Sequence, residues 1–269
     1  MPVFCFALSF VHHIDWVNTL LAFVIIHLLL YPSSNGYNSY MDRDTDSIGG
    51  VEKPMQPTKA LFYTTIVMDF ACIILSLLIS TEFAAGIFIY ITCSRLYSYR
   101  GIRLKRFPLI GYLTVVLNQG ALIFTIVYMC AGNNSFDQVP VAGLTTATFL
   151  IGGFYPITQI YQHKADEEDG VNTISMMLGK KGTFIFCAIM YGIAFGLLFF
   201  YFKSENKLYA FLVLQIFFLP VIVYFLKWLV YVWNNETYAD FKHTMRMNML
   251  ASTCTNFAFI TLIILNRLG

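Results

Sequence analysis

The sequence predicts an all-α integral membrane protein of about nine transmembrane helices, on three observations. Of its 269 residues 58% are hydrophobic and only 12% charged, against about 25% charged in an ordinary soluble domain. The apolar residues come in runs of the length that crosses a hydrocarbon core as helix, about 17 to 25 residues. Those runs are continuous rather than alternating, which excludes the closed β-barrel, the other fold that satisfies every backbone group in lipid. A soluble enzyme is excluded by the same composition, and nothing in the chain suggests a nucleic-acid partner.

In chain order the runs fall at 2–12, 16–40, 60–79, 82–98, 108–131, 139–162, 183–202, 208–233 and 247–265. The first, MPVFCFALSF, offers only about ten apolar residues, so it is either a partly immersed helix or the end of a chain lacking an upstream piece. A cleaved signal peptide is not expected, because no basic stretch and no small-residue cleavage site precede His12 and His13. The second run ends in the polar segment NSYMDRDTD, after which Pro54 and Pro57 stop any continuing helix. Gly179 and Gly182 do the same between the sixth and seventh runs. A span, an acidic motif, a Gly-bearing polar loop and a fresh span occur twice, a loose repeat suggesting two helical halves across a central cavity. No linker or low-complexity tract divides residues 1–269, so one membrane domain is expected.

The net charge of +2 says little, but its placement says more. Alternating nine spans between two faces sends thirteen of the 17 Lys and Arg residues, among them Arg43, Arg95, Arg103 and Arg246, to one face. Lys203, Lys207 and Arg267 fall on the other, and Lys227 lies inside a span, near enough to its end to snorkel. The positive-inside rule makes the basic face cytoplasmic, in a plasma or inner membrane if the chain is bacterial. The 6 cysteines stand singly in or beside apolar runs, as small buried hydrophobes rather than redox or zinc pairs.

Asn38, Asp42 and Asp46 recur at four-residue spacing at the end of the second run. Each such step turns a helix about 400°, so the three side chains share one face with roughly 40° of drift per step. They form a cation site at a membrane surface. A second cluster, ADEEDG with Asp166, Glu167, Glu168 and Asp169, follows the sixth run on the same face. Magnesium takes oxygen ligands and is commonly held by one or two carboxylates plus substrate phosphates. Lys53 and, in the loop SYRGIRLKRF, Arg103 and Lys105 are then cations for the polyanion that the metal recruits. A diphosphate held between two such motifs is a leaving group prepared for departure.

These residues resemble the UbiA superfamily of intramembrane prenyltransferases. The Asn38, Asp42, Asp46 motif, the stretch YSYRGIRLKR with Tyr97, Ser98, Arg103 and Lys105, and the ending DEEDGVNTISMMLG carry the resemblance, from about residue 16 to 182. It implies a nine-helix ring around a central cavity with a polar, capped mouth and a lateral opening to lipid. It implies Mg2+-dependent transfer of a polyprenyl group from an allylic diphosphate to a small-molecule acceptor, with Asp42, Asp46 and Asp166 as the catalytic carboxylates. The metal set would be Asn38, Asp42, Asp46, Asp166 and Asp169, and the diphosphate set Lys53, Tyr97, Ser98, Arg103 and Lys105. Gln162 stands where many members have the first Asp of the second motif, so a second metal would rely on Asp166 with Asp169 or Glu168, or be bound only with substrate. Gln56 stands where an Arg is frequent. With 26 Phe and 17 Tyr, the chain has aromatic faces to protect an allylic carbocation from water, each by roughly 0.5 to 2 kcal/mol.

Polar residues inside spans complete the expectations. Asp69, in TIVMDFAC, should face the bundle interior, where it serves either the site or a helix-to-helix hydrogen bond. Asn118 and Gln119 are candidates for contacting the acceptor, or else for helix packing. Tyr155, Gln159 and Gln162 share a face leading to Asp166 and should line the cavity mouth, whereas Asn248 and Asn256 read as packing contacts. Two other functions compete. A cyclase or hydrolase of the same fold would ionise the diphosphate without an acceptor, and a cation transporter would place its carboxylates near the bilayer midplane on broken helices rather than at span ends.

Overall fold

A computed structural model of the protein describes residues 1–43, 47, 51, 52 and 54–268. Asp46 and Lys53, both expected in the site, lie outside these described residues. Helix α1 is Pro2–Leu8, α2 Trp16–Asp42, α3 Lys59–Ser76, α4 Thr81–Ser98 and α5 Pro108–Gly132. After these come α6 Val141–Gln159, the short α7 His163–Glu168, α8 Ile174–Ser204, α9 Leu208–Asn234 and α10 Phe241–Leu268. Among the described residues 7 helices are long and apolar enough to cross a membrane. Helix α4, with 18 residues but carrying Glu82 and Arg95, is the remaining long one.

The first apolar run is not a span. At 7 residues α1 rises about 10 Å, a third of the hydrocarbon thickness of about 30 Å. Val3 through Leu8 are all buried, packed against α5 and α10, so α1 plugs one end of the helical assembly. At that end Asp15 caps α2 by accepting from the Val17 and Asn18 amides at 3.0 Å. The Asp15 amide donates to the Ala131 carbonyl at 2.7 Å, and the Asn266 side chain donates to the Ser9 carbonyl at 2.8 Å. The opposite end carries the basic loops and both acidic motifs together.

Two helices widen locally. Val24–Leu30 of α2 and Leu117–Leu122 of α5 are π-helical, a form frequent at functional sites. In α2 the widened stretch contains the carbonyl four residues before Pro32, the one that a proline cannot bond. In α5 it carries Asn118 and Gln119 and seats Gly120 on the backbone of α6. A Cβ on Gly120 would meet the Thr148 Cα at 2.8 Å and the Ala147 carbonyl oxygen at 3.0 Å. Helix α8 breaks once, at Gly179 with φ 68°, one of the two glycines expected to interrupt it, while Gly182 stays helical.

The intramembrane carboxylate of Asp69 joins α2, α3 and α4. Arg95 donates to it through Nε at 2.8 Å and through Nη2, and Nη2 also reaches the Ser33 hydroxyl at 2.7 Å. Ser33 in turn donates to Asp69 at 2.6 Å, and the Arg95 guanidinium stacks 4.1 Å from the Tyr37 ring centre. Arg95, which the charge count places with the cytoplasmic loops, is therefore an internal counter-ion. The count missed it because it sits one turn inside a helix end, where a long side chain can turn either outward or inward. Lys227 is exposed on α9, with its ammonium 5.9 Å from the Tyr231 ring centre. All 6 cysteines are free.

Candidate functional site

The end of α2 supplies the first half of the site. Asn38 and Asp42 face one cavity, as four-residue spacing requires, and the helix stops at Arg43 in the left-handed region with φ 55°. The Ser98 hydroxyl donates to the Asn38 side-chain carbonyl at 2.7 Å, fixing its orientation from α4. Asp42 is not at a wet surface. It is 8% exposed, and the Lys105 ammonium lies 2.5 Å from its Oδ1 with the Arg103 Nη2 at 3.5 Å.

The α4–α5 loop supplies those cations by a sharp reversal. Arg103 takes φ 53°, an uncommon conformation for a residue with a Cβ, and the turn Leu104–Arg106 behind it aims Lys105 inward. Both cations are buried. Arg103 spans the two acidic motifs. Its Nη1 donates to the Asp169 carbonyl at 3.0 Å and its Nη2 pairs with the Asp169 carboxylate, while reaching Asp42 on the other side. Arg100 reinforces the strap, with Nη2 3.3 Å from Asp169 Oδ1 and Nε donating to the Met41 carbonyl at 2.6 Å.

Helix α7 and the turn after it supply the second half. Its amide-to-carbonyl bonds close on Gly170, which has φ 66°, so the chain turns back and the Val171 amide donates to the Asp166 carbonyl at 2.8 Å. Burial pushes the Asp169 carboxyl up, but the Arg103 hydrogen bond and the charges of Arg103, Arg100 and Lys105 outweigh it and hold the group below the usual carboxylate range. For Arg103 burial acts downward, and Asp169 and Asp42 more than offset it. Glu168 points elsewhere, exposed and 3.9 Å from Lys164.

Above these charges lies a polar cavity of about 560 Å³, and below it an apolar chamber of about 900 Å³. Asn35, Tyr90, Gln119 and Thr158 line both, so the two are continuous. Tyr97, Ser98, Lys105, Asn118, Tyr155, Gln159, Gln162 and Asp166 line the polar part with Asn38 and Asp42. Tyr97 and Tyr155 join hydroxyl to hydroxyl, and Gln159 donates to Tyr155 at 2.9 Å. Asp69 lines neither volume, being spent on Arg95. Asn248 lines the apolar chamber. Sequence reasoning missed Asn35, Tyr90, Ser94 and Thr158. Asn35 was readable by extending the Asn38 face back by three residues, and Tyr90 and Ser94 by extending the Ser98 face back in steps of four.

Among the described residues no three acidic, His or Cys side chains cluster as a metal cage. What faces the polar cavity is a set of hard oxygen donors, Asn38, Asp42 and Asp166, suited to a cation that shares its shell with phosphate and water.

His163 at the start of α7 makes a separate, testable contact, 2.7 Å from the Ser175 hydroxyl. Burial, and next the charge of Lys180, lower its pKa from 6.5 to about 4. Between those values the unfolded chain binds the extra proton, so stability is complete above 6.5 and falls as pH drops towards 4, by at most about 1.4 kcal/mol per pH unit. Thermal unfolding in detergent between about pH 7 and about pH 4.5 should show a shallower decline for His163→Gln than for the unaltered protein. Equal slopes would remove this histidine as the cause.

A model of the UbiA prenyltransferase family matches residues 1–250 of the chain. No curated protein matches it in sequence. Among solved structures it is similar to a UbiA homolog from Aeropyrum pernix K1 in its apo form, with a TM-score of 0.70 and 15% identity over 99% of this chain and 98% of that one. A UbiA homolog from Archaeoglobus fulgidus bound to DMAPP and Mg2+ matches with a TM-score of 0.65 and 15% identity, over 97% and 93%. A structure of digeranylgeranylglyceryl phosphate synthase matches with a TM-score of 0.63 and 17% identity, over 98% and 91%.

Proposed function

The chain belongs to the UbiA prenyltransferase family, and from that membership and the site geometry we propose that it transfers the prenyl group of an allylic diphosphate to a small-molecule acceptor within the membrane. One observation carries the proposal: Arg103 touches carboxylates of both acidic motifs at the mouth of a cavity that continues into an apolar chamber. The mouth holds the diphosphate and the chamber the isoprenoid tail. Asn38, Asp42 and Asp166 would hold Mg2+, with Asp46 and Asp169 completing the set, and the relative from A. fulgidus that binds DMAPP and Mg2+ supports this reading. When bound, the metal supplies the positive charge that offsets the diphosphate.

The chain's own residues do the remainder. Lys105 on the wall of the same volume, with Arg103 behind it against Asp42 and Asp169, brings fixed positive charge that stabilises the charge developing on a leaving diphosphate. Tyr97 and Ser98 present hydroxyls to that volume, and Lys53 belongs to the diphosphate set. The allylic C1–O bond breaks with its electron pair on the diphosphate, the acceptor's nucleophilic atom bonds C1, and its proton passes to the released diphosphate. Phe154, Tyr191, Phe195 and Phe218 on the chamber wall exclude water and offer ring faces to the allylic cation. The mouth faces the cytoplasm, which the basic loops beside it support.

Purified protein in phospholipid nanodiscs, given labelled geranyl diphosphate and a panel of quinols, should form prenylated product in the presence of Mg2+ and none in excess EDTA. Diphosphate release at full rate with no acceptor present would overturn transfer in favour of cyclisation or hydrolysis.

A further inference from the structure

We infer that the acceptor is electrically neutral at the end that enters the cavity: an electron-rich hydroxylated ring or a lipid alcohol, and not a carboxylate or phosphate. This rests on the prenyl-transfer reading above, and it concerns what stands beside C1 of the donor. That point is the junction of mouth and chamber, ringed by Asn35, Tyr90, Gln119 and Thr158. All four hydrogen-bond and none carries a charge at neutral pH.

The described side chains around that point offer no counter-ion either. Among the described residues, no Lys, Arg, His, Asp or Glu side chain lines the apolar chamber. Among the described residues the one cationic side chain lining the polar cavity is Lys105, already 2.5 Å from Asp42. Arg103 is shared between Asp42 and Asp169, and Arg100 lies against Asp169 and the carbonyls of Met41 and Asp42. A second anion at the junction would sit unpaired in low dielectric, beside Asp42, Asp166 and the donor's own diphosphate, and both desolvation and repulsion oppose it.

A neutral acceptor meets no such opposition. The Asn118 amide donates to the Thr114 carbonyl at 2.7 Å and the Gln119 side chain bonds to the Tyr90 hydroxyl, but of the two only Gln119, on the widened turn, reaches both compartments. With Asn35 across the junction it can donate to or accept from a hydroxyl. The geometry thus assigns acceptor positioning to Gln119 rather than to its neighbour Asn118.

The test uses protein in nanodiscs loaded with Mg2+ and a non-reacting geranyl thiolodiphosphate. Equilibrium binding is then measured for 2-naphthol and 6-hydroxy-2-naphthoate, which differ only by a carboxylate. The neutral probe should bind at least about tenfold more tightly, a difference of about 1.4 kcal/mol. Gln119→Arg, which places a cation at the junction, should narrow that gap at least about tenfold, and Asn35→Lys should narrow it in the same direction. Equal affinities, tighter binding of the naphthoate, binding of neither probe, or a gap untouched by both variants would overturn the inference. Failure of the thiolodiphosphate itself to bind with Mg2+ would instead overturn the prenyl-transfer reading, so the two outcomes are distinct.

Discussion

Asp42→Ala is expected to lower prenyl transfer by at least about a hundredfold and, in the same protein, to lower stability by roughly 3 kcal/mol. The first effect follows from losing the carboxylate that faces the cavity beside Asn38. The second follows from burial, in place of the membrane-surface position that the four-residue spacing suggests. Asp42 is buried against Lys105 and Arg103, themselves 8% and 7% exposed, and its removal strands charge that the fold has taken out of water. Asp42→Ala combined with Lys105→Met should therefore recover most of the melting temperature in detergent while remaining inactive in nanodiscs. Wild-type turnover by Asp42→Ala at limiting Mg2+ would remove Asp42 from the proposed reaction. An unchanged melting temperature would remove it from the charge network.

The largest effect on stability is expected away from the site. Asp69→Leu leaves the Arg95 guanidinium inside the membrane domain with Ser33 and the Tyr37 ring as its remaining contacts. Breaking a buried pair from one side costs about 3–5 kcal/mol, whereas replacing both partners by apolar side chains is often neutral. Asp69→Leu with Arg95→Leu should accordingly melt within about 1 kcal/mol of the unaltered protein and transfer prenyl groups within a few-fold of its rate, since neither residue lines the cavity. A double variant as unstable as the single one would show that the network does more than neutralise charge. A double variant that folds but is inactive would return Asp69 to the functional candidates.

Much of the architecture was legible because lipid leaves few choices. Runs long enough to span must be helices, and their ends must be polar, so the order of spans could be read from composition along the chain. The exception, residues 2–12, failed for a reason that hydrophobicity cannot express: a short apolar helix buried by protein reads like a short apolar helix buried by lipid. The cavity-facing residues on regular helix were equally legible. Asn38 with Asp42, and Tyr155 with Gln159, follow from helical spacing alone, whereas Gln162 reaches the cavity from the turn after α6, which ends at Gln159. Arg95 and Asp69 were opaque, because a charged side chain inside a span names its own need for a partner but not which partner answers it.

The amino-acid sequence by itself determined that this protein is a helical membrane protein with two acidic motifs at one end, since periodicity and burial in lipid are local properties of each segment. Only the tertiary structure decided that Arg103 ties Asp42 to Asp169, that Asp69 is spent on Arg95, and that the polar mouth opens into an apolar chamber through a neutral ring. Those facts depend on a left-handed residue at Arg103, two widened helical turns and the close seating of Gly120 on α6. Each sets a direction in space between segments distant along the chain, and spacing within one segment carries no information about that direction.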